Sequence, residues 1–145
     1  MQTQRGVTLI ELLTVITVLG ILAAIAVPGY RQYLLRANRT DAKTALMQLQ
    51  AAQEKFYLQN NAYTDKILDA PPTGLGLTDT TTHGFYKLRV DLIKVGEVDG
   101  QGFKAYATPI TGRGQSDDKK CDEFSIDDAG KKDASGSLGP IACWQ

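Results

Sequence analysis

The stretch Gly6-Val7-Thr8-Leu9-Ile10-Glu11-Leu12-Leu13 opens an apolar run that continues to Val27. Glu11 is the one charged residue in that run; the rest are apolar, small or hydroxyl-bearing. About 21 such residues, wound as a helix, cross the ~30 Å hydrocarbon core of a bilayer. A carboxylate placed there costs roughly 2.5–3.5 kcal/mol on an insertion scale. Glu11 therefore reads as a functional charge awaiting a partner. The segment before it, Met1-Gln2-Thr3-Gln4-Arg5-Gly6, brings an α-amine and one arginine, which suit a cytoplasmic end.

The helical pattern continues past the apolar run. Tyr30, Tyr33, Leu34, Ala37, Ala42, Ala45, Leu46, Leu49, Ala52 and Phe56 recur at three- and four-residue spacing, one stripe of an amphipathic helix. The pattern fades at Asn60-Asn61. A helix from Val7 to Asn60 would be about 80 Å long at 1.5 Å per residue, longer than a small domain can bury. Gly20 and Pro28 lie inside it, and the proline, lacking an amide proton, predicts a kink or a melted turn.

Residues 62–84 read as loop, with Pro71-Pro72-Thr73-Gly74 and a threonine run before His83-Gly84. Residues 85–92 alternate, placing Tyr86, Leu88, Val90 and Leu92 on one face of a strand. Glycines and acids over residues 96–102 predict a turn, residues 103–108 a second strand stopped by Pro109, and residues 123–127 a short third. The class is α+β: a long helix whose second half is covered by a small antiparallel meander. The domains are a leader over 1–6, a membrane-spanning segment over 7–28, an amphipathic half-helix over 29–60 and a head over 61–145.

The 145 residues are 43% hydrophobic with zero formal net charge, so no global field recruits nucleic acid or acidic substrates. No nucleophile, base and orienting group occur together, and the paired glycines never complete a phosphate-binding fingerprint. The chain does not read as an enzyme, and no cofactor is expected. His83 lacks partners at metal spacing. Asp117-Asp118-Lys119-Lys120-Cys121-Asp122 lacks the ordered ligands of a calcium loop and reads as a flexible charged loop, so no metal is expected.

Gly6-Val7-Thr8-Leu9-Ile10-Glu11 resembles the processing site of type IV prepilins, although that family most often carries Phe where this chain has Val7. Arg36-Ala37-Asn38-Arg39-Thr40-Asp41-Ala42, Tyr106-Ala107-Thr108-Pro109 and the cysteine pair ending in Cys143-Trp144 resemble minor pilins of the PilE class. The resemblance implies the type IV pilin fold with a C-terminal disulfide-bounded loop. It also implies cleavage by prepilin peptidase between Gly6 and Val7, N-methylation of Val7, and local loss of helix between Gly20 and Pro28 in the assembled fibre. Glu11 would pair with the Val7 amine of a neighbouring subunit and set its register. Further implied partners are other pilin subunits and the assembly machinery of the inner membrane. The subunit would wait there as a single-pass precursor with its head in the periplasm, then move to the cell surface for motility or adhesion.

Cys121 and Cys143 both follow the apolar run, and an even pair in an extracytoplasmic setting favours a disulfide over two free thiols. Three readings compete with a pilus subunit. An ordinary signal peptide would end at Ala24-Ile25-Ala26, but Glu11 would then interrupt its apolar core. A pseudopilin of a type II secretion system would share the leader and the helix. A DNA-uptake pilin would use Arg36, Arg39 and Lys43, which fall on one helical side, as a basic patch for nucleic acid; a solvated or intersubunit face is the favoured reading of those three.

Overall fold

The protein is described by a computed structural model covering residues 7–96 and 98–145. Helix α1 spans Leu9–Asn60. Strands β1 (Tyr86–Val95), β2 (Val98–Pro109), β3 (Phe124–Asp127) and β4 (Lys132–Ala134) follow, with one 3-10 turn at Gln115–Asp117 and a final helix α2 (Gly139–Trp144). The chain divides into two compact units, one ending at Leu34 and the other running from Leu35 to Gln145.

Within the second unit, α1 buries Leu35, Arg39, Ala42, Leu46, Leu49 and Gln53. Their spacing alternates between four and three residues, so all six fall on one face. The stripe drawn from apolar residues alone differs at both ends. Tyr30, Tyr33, Leu34 and Ala37 are exposed, while the polar Arg39 and Gln53 take core positions. Each polar residue is buried because it is satisfied. The Gln53 amide donates to the Thr64 carbonyl and accepts from the Thr64 amide at 3.1 Å, fixing the chain just after the helix. Arg39 is held by Asp118.

The sheet has the order β1-β2-β3-β4, every pair antiparallel. Tyr86, Leu88 and Val90 of β1, Phe103, Ala105 and Ala107 of β2, and Phe124 and Ile126 of β3 are buried in one cluster with Ala42, Leu46 and Leu49 of α1. Tyr86 meets Phe124 edge-on at 6.0 Å, and Phe124 meets Trp144 edge-on at 5.9 Å.

Three features refine or add to the sequence reading. The turn expected over residues 96–102 is tighter, because β2 already begins at Val98 and the reversal falls at Gly96 (φ 66°), with a register shift between Ile93 and Val95. Gly100 is a glycine for a different reason. Its carbonyl accepts from the Tyr63 amide at 2.8 Å, and a Cβ there would lie 2.8 Å from the Tyr63 carbonyl oxygen. Strand glycines often mark such close approach. Secondly, there is a fourth strand, with Ile126 opposite Lys132 and Phe124 opposite Ala134. Thirdly, the tail ends in α2, started by a proline in its first turn.

The segment 62–84 has no regular secondary structure but is packed. Ile67, Leu75 and the backbone of Gly74 are buried, and Leu75 and Leu77 amides donate to the Lys66 and Ile67 carbonyls at 3.0 and 2.8 Å. Cys121 and Cys143 form a disulfide with Cα atoms 5.7 Å apart. It anchors α2 and closes a 22-residue separation, which stabilises by about 3 kcal/mol in the chain-entropy view.

Candidate functional site

The first unit carries the most unusual surface. Its large apolar side chains from Val7 to Val27 are all at least half exposed, from 50% at Val15 and Val18 to 80% at Leu9. At about 1.5–3 kcal/mol for each such side chain moved out of water, this surface requires a bilayer or neighbouring helices around it. α1 is long and apolar enough here to cross a membrane.

Its polar groups are handled locally. Thr8 precedes the helix and caps it, its Oγ1 accepting from the Glu11 amide at 3.3 Å and its carbonyl from the Leu12 amide at 3.1 Å. Thr14 and Thr17 hydroxyls donate back to the Ile10 and Leu13 carbonyls at 2.7 and 2.8 Å. The Glu11 carboxylate is the exception: among the described residues no cation lies within 4 Å of it. Thr8-Leu9-Ile10-Glu11 is also a capping-box sequence, so residue spacing alone marks Thr8 as the cap. The helix runs without interruption through Gly20 and Pro28, and no atom outside the local helix lies within 4 Å of where a Cβ on Gly20 would be. Pro28 leaves the Ala24 carbonyl without its i+4 amide donor. Gly6 and the leader, residues 1–6, lie outside the described residues.

The helical patch of Arg36, Arg39 and Lys43 does not form as a solvated face. Arg36 is exposed and Lys43 half-buried, but Arg39 turns inward, because its spacing from Leu35, Ala42 and Leu46 puts it on the core face. Its guanidinium grips Asp118 with two bonds, Nε to Oδ2 at 2.7 Å and Nη2 to Oδ1 at 2.9 Å. Gln115 completes the clamp, its Nε2 donating to Asp118 Oδ2 at 3.3 Å and to the Leu35 carbonyl at 3.2 Å. Asp118, expected in a flexible charged loop, is thus a buried anchor. Nor is His83 isolated: its Nδ1 lies 3.1 Å from Asp41 Oδ1, and its ring stacks beside Phe85. No group of three metal-ligating side chains occurs among the described residues.

Cations gather in two other places. On the outer sheet face Arg89 lies over the Tyr106 ring at 4.0 Å and also pairs with Asp91, while Lys87 and Lys104 sit 3.8 and 3.7 Å from Asp79 and Asp133. On the helix side, Lys132 of β4 stands 5.1 Å over the Trp144 ring and close enough to Lys43 to influence it. Burial, then the charges of Arg39 and Lys132, lowers the Lys43 pKa.

Comparison with known proteins gives a consistent picture. The family described as type IV minor pilin ComP, DNA uptake sequence receptor, matches residues 28–125, and the prokaryotic N-terminal methylation motif matches residues 1–27. The chain is similar to the type IV major pilin protein PilA of Myxococcus xanthus, 44% identical over 61 residues, which are 42% of this chain and 28% of that one. It is similar to a fimbrial protein of Pseudomonas aeruginosa, 44% identical over 85 residues, 56% of this chain and 53% of the other. The matches thus span about half or less of these relatives' length. Its fold is like that of the non-core minor pilin PilV of Neisseria meningitidis, with a TM-score of 0.50 at 16% identity, covering 72% of this chain and 90% of that one.

Proposed function

Because the chain belongs to the family of the type IV minor pilin ComP, we propose that it is a minor subunit of a type IV pilus, cut between Gly6 and Val7 and methylated at Val7. It is a type IV pilin, a structural subunit of a pilus. The observation that carries the finer reading is the exposed apolar face of residues 7–27, interrupted only by the Glu11 carboxylate, which has no cation beside it among the described residues. Before assembly the bilayer covers that face, with the amino terminus in the cytoplasm and the head in the periplasm. In the fibre the same face packs among neighbouring helices. A carboxylate in such a core is tolerable when paired, and the Val7 amine of the next subunit is its natural partner. Each contact joins different surfaces of successive subunits, and where the rotation between them does not close the result is a filament and not a ring.

Prepilin peptidase, the inner-membrane assembly machinery and other pilins are the partners this reading requires, and motility or adhesion its outcome. The relatives are named as pilin and fimbrial proteins, which supports a pilus over a secretion pseudopilus. A second reading, reception of DNA during uptake, is favoured by the description of the matched family.

Intact-mass measurement of the protein from membranes and from sheared surface filaments tests the first reading. A chain starting at methylated Val7, two hydrogens light for the disulfide and scarce in the sheared fraction, is expected. A chain starting at Val27 would overturn it. Glu11→Gln should leave cleavage intact while emptying the filament fraction of this subunit; normal incorporation would remove the register role.

A further inference from the structure

We propose that the outer edge of β1 receives an extended segment of a partner protein, carrying basic and apolar side chains, as an added strand of the sheet. Part of that edge is already used in this way within the chain. The Leu88 amide donates to the Asp79 carbonyl at 2.7 Å, and the Thr81 amide donates to the Tyr86 carbonyl at 3.0 Å. Residues 79–81 thus lie against the start of β1, with Thr80 opposite Lys87.

Beyond Leu88 that cover stops. The register of β1 on β2 is regular from Tyr86 to Ile93. Val90 and Leu92 therefore point their amides and carbonyls the same way as Leu88, away from β2. Among the described residues no group bonds the Val90 or Leu92 amide on that side. Val90 is only 7% exposed, and a backbone amide at that depth is nearly always paired. It borders a groove of about 340 Å³ lined by residues 88–90 and 65–69. The opposite edge of the sheet offers less, because β4 has three residues and its Ala134 amide is taken by Asp133 Oδ1 at 2.9 Å.

The groove also selects its peptide. Added-strand recognition takes affinity from main-chain hydrogen bonds and specificity from the side chains beside the edge. Leu68, exposed in the groove, offers an apolar surface. Asp65 and Asp69, both exposed, have no cation within 4 Å among the described residues. The basic side chains of β1 are already engaged: Lys87 lies 3.8 Å from Asp79, and Arg89 pairs with Asp91 while lying over the Tyr106 ring. With Lys66 alone between the two free carboxylates, the rim is net acidic and favours basic over acidic peptides.

The test uses the full chain in nonionic detergent micelles and a fluorescent hexapeptide of alternating lysine and valine. Binding is read by anisotropy, and amide hydrogen exchange of the protein by NMR. Saturating peptide should slow exchange at Val90 and Leu92 at least about tenfold, as new interstrand hydrogen bonds form. A glutamate–valine counterpart, and the lysine–valine peptide methylated on every backbone nitrogen, should each bind at least about tenfold more weakly. Asp65→Asn with Asp69→Asn, both at the surface, should remove most of the preference for lysine over glutamate. Binding that leaves the two amides unprotected, or that survives backbone methylation, overturns the added strand. Equal binding of the glutamate peptide overturns the basic partner, and no binding of either overturns the whole proposal. Protection already present in the free chain also overturns it; if that protection fades on dilution, the occupant is a second copy.

Discussion

Asp118→Asn is the most informative single change in the head. The side chain keeps its shape, but the Arg39 guanidinium, only 7% exposed, is left with no anion. Removing one partner of a buried ion pair costs about 3–5 kcal/mol, because the other charge remains desolvated. Asn still offers one acceptor, and Gln115 remains nearby, so the lower figure of about 3 kcal/mol is expected here. For a domain of this size that lowers the melting midpoint by about 10–20 °C. The assay is thermal and urea unfolding of the full chain in detergent micelles, followed by Trp144 fluorescence, since Trp144 packs on the core residue Phe124. The companion variant Arg39→Met with Asp118→Leu removes both charges together and should recover most of the loss, since hydrophobic replacement of a buried pair is often neutral. A double-mutant cycle then gives the coupling directly. A loss below about 1 kcal/mol for Asp118→Asn would mean that the pair is solvated and clamps nothing.

Two further outcomes follow from the geometry. Gly100→Ala should destabilise the head by about 1–3 kcal/mol, because φ is 74° there and the new methyl would meet the Tyr63 carbonyl at 2.8 Å; an unchanged urea midpoint would show that residues 62–63 move aside freely. Burial, with the hydrogen bond from its hydroxyl to Glu54, pushes the Tyr63 phenol up to about 12. A raised pKa contributes stability that is complete below the unfolded value near 10 and is lost as pH climbs through the folded one. Absorbance titration of the wild type and of Tyr63→Phe should differ by one late-ionising phenol, and a difference centred on the unfolded value of about 10 would refute that environment.

The sequence exposes those parts of the fold that rest on local periodicity. Leu46 and Leu49 on the helix and Tyr86, Leu88 and Val90 on β1 announce their faces through spacing alone. Arg39 and Gln53 do not, since their burial depends on Asp118 and Thr64, 79 and 11 residues away. Gly100 misleads for a similar reason: a glycine needed for close approach looks like a glycine needed for a turn. β4 has three residues and α2 six, too few for any period, and both are held by what they touch. The Thr8 cap at the start of α1 is legible because its Thr-x-x-Glu spacing is a local signal.

The disulfide encloses more than a loop: β3, β4 and nearly all of α2 lie between Cys121 and Cys143. The connections inside that ring, over residues 128–131 and 135–138, can therefore change length while their ends stay covalently fixed. Doubling such a connection costs only about 0.6 kcal/mol of closure entropy, and neither α1 nor the β1–β2 hairpin need shift to accommodate it. The ring is a cartridge: its turns can be rewritten one at a time, and the long helix remains unaltered.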